Sequence, residues 1–294
     1  MSERTQTTAQ LLGYPADARL LIINADDFGM CHAENVATIE GLEGGAFCSA
    51  TIMVPCPWFA DAAAYARRTP TADLGVHVTH TSEWDTCRWG PVCGRGTAPS
   101  LVDSQGYFFR DVPSLYAQAR LDEVERETRT QVDTALAAGI DVTHLDSHMG
   151  TVQLDARYHE LYVRLAVDYR LPIRMAPRAM LRKMGMDQVL ALADHAGVLA
   201  PDYFWYGGPP NPEATSEYWT GRLRDLPAGV NEIYVHAAID TPEARAMMPA
   251  AWAQRVADTA FFHAASTRAL LHELGITLIG YRALRDAQRR LQPC

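Results

Sequence analysis

The stretch LLIINADDFGM at residues 20–30 joins an aliphatic run to two charged side chains. The run Leu20 to Ile23 is followed by Asn24 and, one residue later, by the adjacent pair Asp26 and Asp27. A helix N-cap and a first-turn acid would explain one of these aspartates. The second stays unexplained, because neighbouring carboxylates repel each other. The pair therefore indicates a functional site at the carboxyl end of a buried strand.

Short apolar runs typical of strands alternate with helical patterns along most of the chain. Apolar spacing predicts helices at about 114–138, 157–170 and 250–274. Strand–helix alternation is typical of a parallel sheet covered by helices. We therefore predict an α/β fold, an irregular TIM-like (β/α) barrel of about seven parallel strands, with a doubly wound open sheet as the alternative. The predicted strands are 20–24, 49–54, 73–78, 141–148, 172–177, 231–237 and 277–281.

The chain shows no internal repeat or linker that would divide it. Its 294 residues predict a single barrel domain at 18–294, preceded by a leader or packing arm at 1–17. Two long segments without a clear pattern, 79–113 and 200–230, are rich in Gly, Pro, Trp and Tyr. Loops of that length in a compact domain are usually functional, so we expect them to form the walls of a pocket.

Composition restricts the classes of partner. Hydrophobic residues make up 48% of the chain and charged residues 21%, as in soluble globular proteins. The net charge of −9 and the scattered basic residues disfavour nucleic acid or a membrane surface as partners, but not a neutral sugar. Six cysteines without a CxxC pair predict free thiols. No apolar run resembles a signal peptide or a membrane span. We expect a cytoplasmic protein, and a homodimer is compatible with these features.

Side chains that can bind metals or move protons recur at the predicted strand ends. In parallel barrels, the carboxyl ends of the strands surround the active site. A lone histidine is more often structural, but imidazoles and carboxylates gathered at one edge suit a divalent cation. The residues at these ends are Asp26, Asp27, His77, His144, Asp146, His148 and His236.

Four motifs carry a resemblance to a known family. NADDFG at 24–29, GVHV at 75–78, HLDSH at 144–148 and VH at 235–236 resemble the YdjC-like carbohydrate deacetylases, which include chitooligosaccharide deacetylases. The resemblance extends from about residue 18 to 284. It implies an irregular (β/α) barrel that removes acetyl groups from N-acetylated sugars with a bound divalent metal.

The resemblance also implies a role for each strand-end residue. Asp27, His77 and His148 would bind one divalent metal, and Asp26 beside them would be the catalytic base. A protonated His236 would be the general acid that delivers a proton to the departing amine. Zn²⁺ is the metal that best suits two imidazoles and a carboxylate, with Mg²⁺, Co²⁺, Ni²⁺ and Mn²⁺ as alternatives.

Other residues are expected to support the metal site or to bind substrate. By the resemblance, Arg174 would line the site, and His144 and Asp146 would orient His148 or a neighbouring ligand. Loop residues could contact a sugar by stacking or hydrogen bonding, with loop packing as an equal alternative. These loop residues are Trp84, Arg88 and Trp89.

The sequence departs from the family pattern beside the fourth strand. The pattern often continues HLDSHHH, whereas Met149 and Gly150 follow His148 here. The segment TSEWDTCRWGPV at 81–92 is also distinctive, so the substrate could differ from a chitooligosaccharide. Hydrolysis of another small amide or ester and non-catalytic binding of a sugar or metal are the alternative functions. Asp26 argues against pure binding, which needs no unligated carboxylate beside the metal.

Overall fold

The aliphatic run at 20–23 lies in the centre of the sheet in the computed structural model of the protein, which describes residues 6–292. Residues 1–5, part of the predicted leader, and Cys294 lie outside the described residues. The strands are β1 (Arg19–Phe28), β2 (Ser49–Ile52), β3 (Leu74–Val78), β4 (Val142–Ser147), β5 (Tyr203–Trp205), β6 (Gly229–His236) and β7 (Ile276–Leu278).

All strand pairings are parallel, and the sheet curls into a half-barrel. The strands follow the spatial order β4-β3-β2-β1-β6-β5. β6 pairs with β1 along nearly its whole length, and β7 pairs with the first three residues of β1. Because the strands run in one direction, their carboxyl ends meet at one edge of the barrel. The prediction of a TIM-like α/β fold with about seven parallel strands is confirmed.

Helices cover the outside of the sheet and connect successive strands. Within residues 6–292, no helix has both the length and the apolar composition required to cross a membrane. The helices are α1 (Thr8–Leu11), α2 (His32–Glu43), α3 (Phe59–Arg68), α4 (Val112–Gln118), α5 (Leu121–Ala137), α6 (Ala156–Tyr169), α7 (Arg178–Lys183), α8 (Asp187–His195), α9 (Thr215–Arg224), α10 (Pro242–Met247), α11 (Trp252–His263), α12 (Ala265–Glu273) and α13 (Tyr281–Leu291), with 3₁₀ turns at Pro99–Leu101, His148–Gly150 and Pro212–Ala214.

The predicted strand at 172–177 is wrong. Only Ile173 forms an isolated parallel bridge, with Leu145 of β4. Pro172 and Pro177 bound the segment, and proline lacks the N–H group that a continuous ladder requires. The segment nevertheless lies beside β4 and brings the buried Arg174 to the interior of the barrel.

Other element boundaries also differ from the predictions. Tyr203–Trp205, expected in a loop, forms β5 and pairs with β6. The number of strands is therefore as predicted, but this strand replaces the one expected at 172–177. The predicted helix at 114–138 is two helices, because Arg120 is extended and its N–H binds a serine hydroxyl. The helix predicted at 250–274 is divided at Ala264, which is also extended. The helix predicted at 157–170 is confirmed as α6.

The described part of the predicted arm contacts the barrel. The backbone N–H of Thr8 donates to Asp202 at 3.0 Å, and its hydroxyl donates to the carbonyl of Ala200 at 3.1 Å. Ala9 is buried against Leu20 and Ile22 of β1. These contacts fix α1 on the side of the sheet near β5 and β6.

The five described cysteines are free thiols, as predicted. Burial raises the pKa values of Cys31, which follows the aspartate pair in sequence, and of Cys87, which lies in the loop after β3. A raised pKa keeps a thiol protonated and unreactive. Neither cysteine therefore has the character of a nucleophile.

Candidate metal centre and active-site pocket

A break in the pairing of β1 directs both aspartates into one pocket. Adjacent side chains of a regular strand point to opposite faces of the sheet. The register between β1 and β2 shifts between Ala25 and Phe28, and Asp27 adopts a left-handed backbone conformation with φ of 64°. The carboxylates of Asp26 and Asp27 consequently line the same pocket. Positive φ at a non-glycine residue costs about 1–3 kcal/mol and is concentrated at functional sites.

Asp27, His77 and His148 form the candidate metal centre at the buried end of this pocket. His77 belongs to β3, and His148 directly follows β4. Oδ1 of Asp27 lies 3.3 Å from Nε2 of His77 and 3.2 Å from Nδ1 of His148. One potential ligand atom from each residue lies within 4.8 Å of the other two. The structure therefore brings together three side chains that are far apart in the chain.

A carboxylate orients each imidazole through its other ring nitrogen. Nδ1 of His77 lies 2.6 Å from Oδ1 of Asp146, and Nε2 of His148 lies 2.9 Å from Oε2 of Glu83. The Thr51 hydroxyl donates to the other oxygen of Asp146 at 2.8 Å. Such carboxylate–histidine pairs typically support metal-binding imidazoles, because they fix the tautomer and the ring direction. Asp146 thus supports His77 rather than His148.

The donor set fits a divalent cation. Oδ1 of Asp27 is buried and has no hydrogen-bond partner within the described part of the chain. A buried, unpaired carboxylate oxygen is costly unless positive charge lies beside it. Two imidazoles and one carboxylate leave coordination positions open for water and substrate. Asp26, His77 and Asp146 form a second group of potential ligands within the same distance of one another. Arg174 already binds the carboxylates of Asp26 and Asp146, so this group is less suited to a cation.

The surroundings of the two imidazoles are strongly negative. Burial acts to lower the pKa of His77, yet Asp146 outweighs it and the pKa rises to about 9. Burial likewise opposes protonation of His148, but Glu83 raises its pKa to about 10. Both shifts show that this end of the pocket stabilises positive charge, which a metal ion would supply.

Asp26 is held by Arg174 instead of by the candidate metal centre. Nη1 and Nη2 of Arg174 donate to the two carboxylate oxygens, each at 2.7 Å, and Asn24 donates to Oδ1 at 2.8 Å. Arg174 is fixed in turn by Glu232 and Asp146, at 2.8 and 2.9 Å. Burial alone would raise the pKa of Asp26, but the charge of Arg174 lowers it to about 2. Asp26 is therefore ionised throughout the neutral range.

His236 and Arg255 lie on the opposite side of Asp27. Nε2 of His236 is 3.8 Å from Oδ2 of Asp27, and Arg255 of α11 donates to that oxygen at 2.8 Å. Burial acts to raise the pKa of Asp27, but these two neighbours hold it well below its usual range. Partial burial, with the nearby charge of Arg255, lowers the pKa of His236 to about 4. The ring is therefore neutral near pH 7, whereas the sequence led us to expect a protonated one.

The predicted loop residues have three different environments. Trp84 lines the pocket. Trp89 is buried behind His148, with the ring centroids 6.2 Å apart. Arg88 lies outside the pocket and forms a salt bridge with Asp103 at 2.9 Å, so it stabilises the loop and does not reach the candidate metal centre.

The expected role of His144 is not supported by its contacts. Its ring stacks on Tyr281 with centroids 3.7 Å apart, and Nδ1 lies 3.0 Å from the Thr143 hydroxyl. Gly75 makes room for this ring, because a Cβ there would lie 2.5 Å from it. His144 therefore packs within the barrel below the site and does not orient His148.

Charged residues that the sequence did not single out complete the site. Glu34 contacts Arg255, which in turn holds Asp27, while Glu83 supports His148. Glu232 could have been found, because a carboxylate within a predicted strand of mostly apolar residues is a signal in itself. Arg255 gave no comparable signal, since it lies on a helix far along the chain.

The pocket has a volume of about 570 Å³, within the range of small-molecule sites. Its buried end is polar, and its outer part is largely apolar. The lining residues are Asp26, Asp27, His77, Glu83, Trp84, Ser147, His148, Met149, Gly150, Gln153, Leu154, Arg174, Ala176, Met180, Phe204, Tyr206, Tyr234, His236 and Arg255.

Known proteins match the chain over most of its length. The family profile described as YdjC-like protein matches residues 20–273. A carbohydrate deacetylase from Thermus thermophilus is 35% identical over 279 residues, covering 92% of this chain and 95% of the relative. Another from Geobacillus stearothermophilus is 30% identical over 268 residues, covering 90% and 97%. A crystal structure from Enterococcus faecalis V583, provisionally described as a cellobiose-phosphate cleavage protein, has a TM-score of 0.77 and 28% identity, covering 91% of this chain and 99% of that chain.

Proposed function

The chain belongs to the YdjC-like protein family, and from this premise we propose that it is a metal-dependent carbohydrate deacetylase. The reaction is hydrolysis of the amide of an N-acetylated sugar or sugar conjugate, which yields acetate and a free amino sugar. Two relatives that align over nearly their full lengths are named carbohydrate deacetylase. Their names support the reaction class, and the pocket supplies the residues.

The observation that carries this proposal is the different pairing of two adjacent aspartates. Asp27 presents toward two imidazole nitrogens an oxygen that accepts no hydrogen bond from residues 6–292. Asp26 opens into the same pocket but is bound by Arg174. A site that only binds metal has no need of a second ionised carboxylate beside the ligands. Hydrolysis needs one, because the attacking water must lose a proton.

Asp27, His77 and His148 would hold the cation, and Zn²⁺ suits this donor set best, with Mg²⁺, Co²⁺, Ni²⁺ and Mn²⁺ as alternatives. Such a cation supplies Lewis acidity, which polarises a carbonyl group and makes water more acidic. Asp146 and Glu83 keep the two rings turned toward it.

Asp26 is assigned the role of general base. Arg174 holds its carboxylate in one orientation through two hydrogen bonds and keeps it ionised before reaction. The carboxylate accepts the proton of the water that attacks the acetyl carbonyl. Because its pKa is low, Asp26 does not retain this proton, which passes to the neutral ring of His236.

His236 is assigned the role of general acid at Nε2. Its ring lines the pocket beside Asp26, with which it is paired across β1 and β6, and is neutral near pH 7, since burial lowers its pKa to about 4. It can therefore donate only after it has received a proton during the reaction. An imidazolium of low pKa is a strong acid, so its proton transfers readily to the basic amine.

Elemental analysis of the purified protein, followed by a screen for acetate release, tests this function. The substrates are N-acetylated mono- and oligosaccharides. We expect one divalent metal per chain, and acetate release that a chelator abolishes and added metal restores. Hydrolysis of small esters or other amides without acetate release from sugars would favour the first alternative function. Bound metal without any hydrolysis would favour a binding protein.

The proposal also includes the setting of the enzyme. We place it in the cytoplasm, as a single domain at 18–294 that acts on a small carbohydrate. A homodimer remains a prediction, which light scattering of the purified protein would test.

A further inference from the structure

Aliphatic side chains, two of them exposed, form part of the pocket lining. Met149, Leu154 and Met180, here called the aliphatic wall, all line the cavity that contains Asp26 and Asp27. Met149 is 43% exposed and Leu154 is 38% exposed. Aliphatic groups left in water at the entrance of a binding pocket gain free energy when a ligand covers them. The wall is therefore a surface suited to an apolar part of a ligand.

The backbone is strained at Met149, one residue of this wall. Met149 has φ of 51° and ψ of 17°, a left-handed conformation that is unusual for a side chain without a short polar group. The Thr81 hydroxyl lies 3.3 Å from the sulfur of Met149 and holds it toward the pocket. Gly150 also has positive φ, and a Cβ there would lie 3.2 Å from Leu154. Strain of this kind persists at functional sites, so the wall is a built feature of the pocket.

Other residues of the pocket lining have a different chemical character. Trp84, Phe204, Tyr206 and Tyr234 contribute aromatic rings, and such rings can pack against a sugar face. The aliphatic wall has no N–H, O–H or carbonyl group on its side chains. Sugar hydroxyls pressed against it would lose their hydrogen bonds to water without replacement. The wall therefore suits an alkyl chain better than a second sugar ring.

We propose that the natural substrate is an N-acetylated sugar that carries an apolar aglycone, and that the aliphatic wall binds this aglycone. This inference rests on the deacetylase function proposed above. In this binding mode the acetamide lies at the polar end of the pocket, the sugar ring packs against the aromatic residues, and the alkyl group covers Met149 and Leu154. The wall and the candidate metal centre line one continuous cavity, so a single molecule can occupy both.

Alkyl glycosides of N-acetylglucosamine test the inference directly. Acetate release is measured for the methyl, butyl and hexyl β-glycosides below their micelle concentrations. Each methylene that becomes buried is expected to raise kcat/KM by up to about fourfold. We expect the hexyl glycoside to exceed the methyl glycoside at least tenfold. Equal kcat/KM values for the three glycosides would overturn the inference.

Two further substrates distinguish other uses of the wall. N,N′-diacetylchitobiose adds a sugar ring in place of the alkyl chain, and N-hexanoylglucosamine places the chain on the acyl group. Because the latter releases hexanoate instead of acetate, its hydrolysis is measured as release of the free amine. We expect neither to gain over the methyl glycoside. A gain for chitobiose that exceeds the hexyl gain would identify the surface as a sugar subsite. A gain for the hexanoyl compound alone would place the chain on the acyl side, and either result would overturn the aglycone assignment.

Variants connect the gain to the wall. Met149→Gln and Leu154→Gln keep the side-chain size but add polarity, and each should lower the hexyl-to-methyl ratio of kcat/KM several-fold. Met184→Gln is the matched control, because Met184 is 40% exposed but does not line the pocket. It should leave the ratio unchanged. Thermal unfolding curves verify that all three variants fold. An unchanged ratio in both wall variants would contradict the inference.

A binding measurement separates this inference from the function on which it rests. The Asp26→Asn variant is titrated with the same glycosides by calorimetry, with no turnover required. Tighter binding with chain length, without acetate release by the wild-type protein, would refute the deacetylase but retain the wall as an alkyl site. Acetate release without any dependence on chain length in either experiment would refute only the aglycone.

Discussion

The floor of the pocket has two halves that differ although their aspartates are adjacent. The metal half consists of Asp27, His77 and His148. Oδ1 of Asp27 has no hydrogen bond among the residues that the structure describes, and the nearest nitrogens of His77 and His148 lie 3.3 and 3.2 Å away. The proton half consists of Asp26 and Arg174, and Arg174 donates to both oxygens of Asp26 at 2.7 Å. The comparison teaches that the neighbours of a carboxylate, more than its place in the sequence, decide whether it suits a cation or a proton.

Removing the charge of the metal half should have the largest effect. Asp27→Asn keeps the side-chain shape and the tolerance for positive φ but removes the anionic ligand. We expect loss of bound metal on dialysis and a fall in acetate release of more than about 100-fold, beyond the effect typical of residues that only orient ligands. Elemental analysis and acetate release measure both.

Asp187→Asn is the matched control for that experiment. Asp187 lies at the start of α8, and its side chain is 71% exposed. This variant should keep both metal and activity. Full metal occupancy in Asp27→Asn would refute the assignment of the metal half.

The proton half should respond differently to the same kind of change. Asp26→Asn removes the base but leaves Asp27, His77 and His148 in place. We expect unchanged metal content and a 10²- to 10⁴-fold lower kcat, the usual contribution of a general base. If Asp26→Asn lost as much metal as Asp27→Asn, or if its acetate release equalled that of the wild type, the division between the halves would be wrong.

The strand ends could be read from the sequence because they follow a general rule. In parallel barrels, functional side chains lie where strands end, so Asp27, His77 and His148 were expected at one edge of the barrel along with four other residues. The resemblance to a known family singled out these three as the ligand set. The aliphatic run before Asp26 fixed the position of β1. Helix α6 could be predicted equally well from the spacing of its apolar residues.

Tertiary contacts determined what the sequence could not show. The bulge that turns Asp27 beside Asp26 is a change of register with β2, and no local signal marks it. Arg174 was expected on a strand, but it lies on an extended segment bounded by prolines. Arg255 reaches Asp27 from a helix 228 residues away along the chain. Such pairings depend on long-range packing, so the position of a residue in the sequence does not reveal them.

Glu232, which holds Arg174, provides a further test of the two halves. Glu232 accepts from Nε of Arg174 at 2.8 Å and from the Tyr281 hydroxyl at 2.6 Å. Glu232→Gln keeps the shape but removes a charge that orients Arg174 toward Asp26. We expect kcat to fall about tenfold, with KM and metal content unchanged. Tyr281→Phe, which removes only the hydroxyl, should have a smaller effect. A fall in metal content would show that the two halves are not independent.

The smallest effect concerns a histidine without carboxylate partners. His77 has two such partners, whereas His80 is buried beside Thr128, and burial lowers its pKa to about 3. An unfolded chain takes up a proton at His80 below about pH 6.5, but the folded protein does not. His80 therefore lowers the free energy of unfolding by about 1.4 kcal/mol per pH unit as the pH falls from 6.5 toward 3. In urea unfolding, the free energy of unfolding of His80→Gln should fall less steeply than that of the wild type between pH 6.5 and 4.5. Identical slopes for the two proteins would mean that His80 is protonated in the folded protein.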